Sequence, residues 1–271
     1  MATVSRLSSM RIIALPLVRP RANVSSKLPV FYAYRINAPP PIKKSLPDSR
    51  GFFTRWMPEE GLGKWASHKA NTTWVAFGAA PERSIKKRAF QLGERLMDRL
   101  DFEESNLKAV DLSIAPNLKL KNTQVSLLYP PSILSGSQAL DHLKALVAER
   151  IPIHNRGIML YVFFAILSAP LKLIPIIPNF PFYFCAWRTW SHWKAKRAAE
   201  YIQALIHSNR ITPAPLRDLE SFVYPPTTGE VLSREALERA MRVLGMSAEE
   251  SKELLRAHEQ VLLRNGKSKT S

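Results

Sequence analysis

The side chains best suited to metal or acid–base chemistry are scattered along the 271-residue chain. The six histidines include no pair at i, i+4 and no acidic companion at metal-ligand spacing. Cys185, the only cysteine, lies in an apolar stretch that disfavours the reactive thiolate. Glu103 and Glu104 are adjacent, so on a helix they point about 100° apart, which is typical of a solvated helix end rather than a paired acid and base. These patterns predict no enzyme, no cofactor and no metal site.

A second pattern lies in PNFPFYFCAWRTWSHWKAKRAAEY, residues 178–201, where apolar sequence gives way to cations. Half of the six tryptophans fall at this transition. An indole ring partitions to the headgroup level of a membrane, where its apolar part contacts hydrocarbon and its N–H contacts water. Cations there suit anionic lipid headgroups. The alternative is a soluble helical domain with a buried aromatic core and a cationic outer face. The predicted membrane-interface residues are Trp187, Arg188, Trp190, His192, Trp193, Lys194, Lys196 and Arg197.

The sequence before this transition is almost free of charge. Residues 157–187 contain one charged side chain, and only the first 13 residues are uninterrupted by proline. Those 13 residues would span roughly 20 Å as a helix, short of the hydrocarbon core of about 30 Å. One option is a single proline-kinked span from about 157 to 177. We favour a shallow hairpin with arms Ile158–Leu167 and Phe182–Trp193, because its positive flanks then lie on one side. Its bend is predicted at Pro170, Lys172, Pro175, Pro178 and Pro181.

The remaining pattern predicts a mainly α protein. With 10 glycines and 21 prolines, the composition argues against a many-stranded β protein. Apolar spacing predicts helices at about Pro81–Leu100 and Gln138–Arg150. The predicted organisation is an amphipathic helical region (48–150), the apolar membrane hairpin with its basic aromatic exit helix (151–209), a proline-rich linker (210–230) and a C-terminal helical hairpin (231–271). In that hairpin, Ser233 and Ser247 are the predicted N-caps and Gly245 the stop between the helices.

The net charge of +17 is unevenly distributed. Residues 1–47 contain eight basic side chains and no acidic one, the pattern of a mitochondrial transit peptide. A disordered basic arm is the alternative. A single cysteine permits no internal disulfide, in keeping with a reducing interior compartment. We therefore expect a mitochondrial protein.

Several stretches together identify a resemblance. Five stretches resemble the mitochondrial potassium–proton exchange-related family and follow one another in the order found there. They are KKRAFQLGERLMDRLDFEE, LKAVDL, LLYPPSIL, IPNFPFYFCAWRTWSHWKA and GEVLSREALERAMRVLGM. The resemblance covers roughly Trp65 to the C-terminus and is most specific at residues 178–195. It implies an inner-membrane protein, with soluble parts facing the matrix, that takes part in potassium–proton exchange and matrix volume control. It supplies no ion-binding residues.

The residues favour an accessory or regulatory role over exchange by the chain itself. A proton-coupled cation site needs ionisable groups at mid-depth, yet no carboxylate occurs between Glu149 and Glu200. One alternative is a membrane-anchored scaffold for matrix protein assemblies. Another is a basic protein that contacts RNA or ribosomes, although no RNA-binding motif is recognisable and nucleic acid is an unlikely partner. The expected partners are anionic membrane lipids, other inner-membrane or matrix proteins, and a second copy of the chain.

Overall fold

The computed structural model describes residues 9–20, 28–37, 72, 75–98, 100–118, 123–170, 180–219, 224 and 230–269. The chain divides into two compact units, residues 40–100 and the remainder. In the first unit, helix α1 (Ile85–Asp98) lies within the predicted Pro81–Leu100 helix. It begins where the Ser84 hydroxyl accepts a hydrogen bond from the Lys87 backbone N–H.

The second unit is built on a four-stranded mixed sheet in the order β2-β1-β3-β4. Strand β1 runs antiparallel to β2 and parallel to β3, which runs parallel to β4. Pro213 and Pro215 lie in β4, an edge strand, where a missing backbone N–H is tolerated. The strands are β1 (Ser9–Pro16), β2 (Val30–Asn37), β3 (Val125–Tyr129) and β4 (Ile211–Pro215).

Helices cover both faces of this sheet, and β1 contributes to both cores. Ile12 and Ala14 belong to one buried cluster, while Ile13 and Leu15 belong to the other. Successive strand residues point to opposite faces, so a nearly continuous apolar strand is what two cores require. The helices are α2 (Phe102–Lys108), α3 (Gly136–Ser168), α4 (Phe180–His207), α5 (Arg234–Leu244) and α6 (Ala248–Lys269). Helices α3 and α4 pack against the first cluster, and α5 and α6 against the second.

The hairpin of α3 and α4 is longer than the sequence predicts. Ser135 caps α3 in a capping box with Gln138, and the helix continues through Pro152 to Ser168. Its 33 residues span about 50 Å. An interior proline costs about 3 kcal/mol, and packing of α3 along α4 offsets that cost. The predicted end at Arg150 is therefore wrong, as are the short arms of the predicted hairpin.

The C-terminal hairpin matches its prediction closely. The Ser233 side chain accepts a hydrogen bond from the Ala236 backbone N–H. The predicted N-cap Ser247 forms a reciprocal capping pair with Glu250. Gly245 ends α5 in the left-handed region with φ of 55°, a conformation that favours glycine.

The sheet is the main departure from the sequence prediction. The predicted mainly helical character holds, but residues 9–16 and 30–37 form two strands, so a disordered arm is wrong for that part of 1–47. The predicted linker is likewise wrong for Ile211–Pro215, which is β4, and the predicted helical region 48–150 contains β3. A targeting role for residues 1–47 stays a prediction, but removal of the whole segment would take β1 and β2 out of the sheet.

Candidate functional site

A buried polar cluster lies at the base of the exposed apolar part of the α3–α4 hairpin, and we call this cluster the hairpin foot. It consists of Glu104 from α2, His154 from α3, and Arg188, Ser191 and His192 from α4. The Asp101 side chain accepts a hydrogen bond from the Glu103 backbone N–H and caps the seven-residue helix α2. Phe102 and Leu107 anchor α2 in the two cores. That orientation carries Glu104 inward, and its exposed fraction is 5%. The sequence interpretation of Glu104 as a solvated helix-end residue is therefore wrong.

Glu104 is held by donors from α4. The Arg188 guanidinium donates to both carboxylate oxygens, at 2.7 and 3.2 Å, and the Ser191 hydroxyl donates at 2.7 Å. Burial by itself raises the pKa of Glu104, but the hydrogen bonds from Arg188 and Ser191 outweigh it and hold the pKa below its ordinary value. The pair is consequently an ionised, hydrogen-bonded link between α2 and α4.

Two histidines extend the cluster from α4 to α3. The distance from Arg188 Nη2 to His192 Nε2 is 2.9 Å, and His192 Nδ1 lies 3.0 Å from His154 Nδ1. Because a guanidinium can only donate, His192 Nε2 accepts, and the proton of the neutral ring is on Nδ1. His154 Nδ1 then accepts from His192, so the His154 proton is on Nε2. This nitrogen is buried and has no hydrogen-bond partner among the described residues.

Close packing around His192 depends on Gly157 of α3. A Cβ built on Gly157 would lie 2.7–2.8 Å from three atoms of the His192 ring. Tyr161, one turn further along α3, stacks on His192 at 5.5 Å between ring centroids. The Arg188 guanidinium lies over the Tyr161 ring, 5.3 Å from its centroid. A side chain larger than hydrogen at position 157 would displace this arrangement.

The cluster also has the composition of a metal site. One ligand atom from each of Glu104, His154 and His192 lies within 4.8 Å of the others. An ion bound at His192 Nδ1 would move the ring proton to Nε2, where it would oppose the Arg188 donor. The guanidinium would also lie beside the bound cation. The geometry therefore supports a hydrogen-bonded latch better than metal coordination.

A second ionic group links α3 to the start of α2. Arg150 Nη1 lies 2.8 Å from Asp101 Oδ2, and Arg150 also pairs with Glu103. Burial raises the pKa of Glu103, against the opposing effect of Arg150. Arg264 of α6 lies 3.4 Å from Asp101. Glu103 and Glu104 thus fix α2 against the hairpin, and Asp101 links its start to the C-terminal helix.

Beyond this foot, the hairpin exposes apolar side chains. Seven large apolar residues between 159 and 167 are 40–70% exposed. Among the described residues, one helix, Gly136–Ser168, is long and apolar enough to cross a membrane, although its first half packs on the sheet. On α4, the Trp190 and Trp193 rings stack at 4.9 Å and are about half exposed. The exposed residues of α3 are Met159, Leu160, Val162, Phe163, Phe164, Ile166 and Leu167.

The predicted interface residues separate into two groups. Four of the side chains are exposed to solvent: Trp190, Trp193, Lys194 and Arg197. Two are partly exposed: Trp187 and Lys196. Arg188 and His192 are buried at 7% and 6% exposure, so their predicted contact with lipid headgroups is wrong. The spacing in sequence could not show that Glu104 draws these two side chains inward.

The predicted bend is described only at its ends. Pro170 follows α3 and Pro181 lies in the first turn of α4, and both are exposed. Lys172, Pro175 and Pro178 lie outside the described residues.

Sequence reasoning missed the residues that complete the foot of the hairpin: Glu104, Ser191 and His154 join the cluster, and Lys108 lies over the Trp187 ring at 5.7 Å. Fifty residues separate Glu104 from His154, and 84 separate it from Arg188. Residues so far apart in the sequence form no local pattern from which their contact could be predicted. The one available signal was the presence of polar residues within otherwise apolar helix faces.

Comparison with known proteins decides the family. The model for the family described as mitochondrial K+-H+ exchange-related matches residues 11–206, more than half of the chain. The chain belongs to this family. The family resemblance noted in the sequence is thereby confirmed, over residues 11–206 rather than from Trp65 to the C-terminus. The match includes most of β1, the foot of the hairpin and nearly all of its two helices.

Related proteins in two yeasts are themselves uncharacterized. The uncharacterized protein YDL183C of Saccharomyces cerevisiae is 24% identical over 171 residues, covering 54% of this chain and 53% of that protein. The chain thus spans about half the length of this relative. The uncharacterized protein C23H3.12c of Schizosaccharomyces pombe is 23% identical over 202 residues, covering 71% of this chain and 86% of that protein. No solved structure matches the chain.

Proposed function

We propose that this member of the mitochondrial K+-H+ exchange-related family is an accessory component of exchange, embedded in the inner membrane by its α3–α4 hairpin. The observation that supports membrane insertion is the run of exposed apolar residues on α3 between 159 and 167. Large contiguous apolar patches on monomeric proteins mark interaction or membrane surfaces. The exposed indoles of Trp190 and Trp193 lie where such a hairpin would leave the lipid.

The energetic argument favours lipid around this surface. Burying a large apolar side chain completely is worth about 1.5–3 kcal/mol. Seven side chains that are roughly half exposed would therefore gain on the order of 5–10 kcal/mol in hydrocarbon. The apolar arm from Gly157 to Ser168 spans about 18 Å, so a hairpin that enters one leaflet fits it better than a complete crossing.

The accessory role is supported by the ion pair that Glu104 forms with Arg188. The structure supplies a carboxylate that the apolar block lacks, but both of its oxygens are bonded to Arg188. A carboxylate whose charge is already balanced by a guanidinium is a poor site for alternating K+ and proton binding. The cluster instead fixes α2 against α4, which suits a component that acts on or through another protein.

Membrane insertion is tested by alkaline carbonate extraction of mitochondria. The wild-type chain should remain in the pellet, and the double variant F163K/L167K should be released. L263K, which alters an exposed leucine of α6, is the matched control and should remain in the pellet. Release of the wild-type chain would overturn the membrane assignment.

The exchange role needs two further measurements. Mitochondria that lack the protein should swell more slowly in potassium acetate, and the wild-type chain should restore swelling where F163K/L167K does not. The purified chain in proteoliposomes should not exchange K+ for protons by itself. Exchange by the purified chain would refute the accessory role, and unchanged swelling would refute participation in exchange.

A scaffold function is the second candidate. Val243, Leu262 and Leu263 are 45–66% exposed on the C-terminal helices α5 and α6. If these residues bind a matrix protein, L263K should abolish its co-purification with the chain while leaving the chain in the membrane pellet. Normal swelling combined with this loss would favour the scaffold over the exchange role.

A further inference from the structure

Beside the hairpin foot lies the ammonium group of Lys108, for which the described residues supply no paired carboxylate. Lys108 lies in the last turn of α2 and is only partly exposed. No carboxylate of the described residues lies within 4.0 Å of it. Glu104, one turn earlier, is committed to Arg188, and Glu253 of α6 pairs with Arg256. An incompletely solvated cation of this kind favours an anion beside it.

The surroundings of Lys108 add to its positive field. Its Nζ lies 5.7 Å from the centroid of the Trp187 ring, and the Arg188 guanidinium lies at the same distance from that ring. Burial lowers the pKa of Lys108, and the cations Arg188 and Lys194 act in the same direction, against Glu104 and Glu253. Arg188 is neutralised by its own carboxylate, whereas Lys194 is exposed.

The position of this field indicates the class of anion. Trp187, Trp190 and Lys194 occur at i, i+3 and i+7 and therefore share one side of α4. The stacked indoles of Trp190 and Trp193 lie on the exposed part of this helix, next to the apolar hairpin. An anion that contacts both the lysines and the apolar hairpin needs a phosphate group for the lysines and hydrocarbon chains for the hairpin. A free phosphate would contact only the lysines.

We propose that Lys108 and Lys194 bind the phosphate of one anionic phospholipid, with the Trp187 indole beside the headgroup and the acyl chains along the apolar hairpin. This inference rests on the proposed membrane insertion. It moves the headgroup contact away from Arg188 and His192 and adds Lys108, which lies 86 positions before Lys194 in the chain.

The test is flotation of the purified full chain with vesicles of phosphatidylcholine, alone or mixed with phosphatidylserine. A basic residue near an anionic surface contributes about fivefold to partitioning. K108Q and K194Q should each lose about that factor on the mixed vesicles and nothing on pure phosphatidylcholine. K108R should retain binding. K144Q, which removes an exposed lysine from the sheet-packed half of α3, is the matched control and should behave as the wild type.

Thermal melting checks that K108Q is folded, which the lack of an ion pair at Lys108 leads us to expect. Equal partitioning of K108Q and the wild type on mixed vesicles would overturn the lipid site. If, in addition, inorganic phosphate raises the melting temperature of the wild type but not of K108Q, a free phosphate is the occupant instead of a lipid. If the wild type floats with neither vesicle, membrane insertion itself is refuted, and the site falls with it.

Discussion

The charge of Glu104 provides the most direct test of the hairpin foot. Glu104→Gln keeps the size of the side chain but removes its charge, leaving the buried Arg188 guanidinium without a counter-ion. Breaking a buried ion pair in this way costs about 3–5 kcal/mol. For a chain of this size, each kcal/mol lowers the melting temperature by about 2–4 °C. We therefore expect a melting temperature about 10 °C lower, measured by circular dichroism in detergent micelles.

Two further variants separate the lost charge from a general weakness of the fold. E104L/R188M removes both charges together, and hydrophobic replacement of a buried pair is often neutral, so most of the stability should return. E200Q breaks the partly exposed pair between Lys196 and Glu200 and should cost less than about 1 kcal/mol. An E104Q variant as stable as E200Q would refute the argument that Glu104 and Arg188 link α2 to α4.

Three other predictions concern pH, packing and the N-terminus. The folded-state pKa of Glu104 is lowered, so its contribution to the free energy of unfolding is complete above the unfolded pKa of about 4.5. That contribution is lost as the pH falls through the folded-state pKa. On acidification, the melting temperature of the wild type should therefore fall further than that of E104Q. G157A should lower stability by up to about 2 kcal/mol, since overpacking against His192 exceeds the helix-propensity gain; in an H192A background it should be neutral or stabilising by denaturant titration. The mature protein should retain Ser9–Pro16, because β1 lies between β2 and β3; N-terminal sequencing that shows a start beyond Pro16 would contradict this.

Local sequence patterns were sufficient to predict those features that depend on residues within a single helix. The caps Ser233 and Ser247 and the stop at Gly245 could be read directly, because capping is decided by residues within one turn. The apolar block and its tryptophans likewise indicated the exposed hairpin. The end of α3 could not be read, because packing along α4 overrides the local effect of Pro152.

Short strands carried a weaker signal. Residues 9–16 have the apolar sequence of a strand buried on both faces, yet the basic residues around them resemble a leader. Strand β2 is close by, but the other partners lie far along the chain: Ile12 pairs with Leu127 in β3, and β3 pairs with β4 at Ile211. Hydrogen bonds between such distant segments have no local counterpart in the sequence, so periodicity alone could not reveal the sheet.

By itself, the sequence determined the family, the helical content and the apolar hairpin with its aromatic edge, because composition and spacing within one helix encode them. Only the tertiary structure decided what the charged residues do. It brought Glu104 of α2 to Arg188 of α4 and so turned a predicted lipid ligand into a buried partner. It also placed the Lys108 ammonium over the Trp187 ring of α4. The physical reason is that a charge takes its role from the groups packed around it, and those groups come from separate parts of the chain.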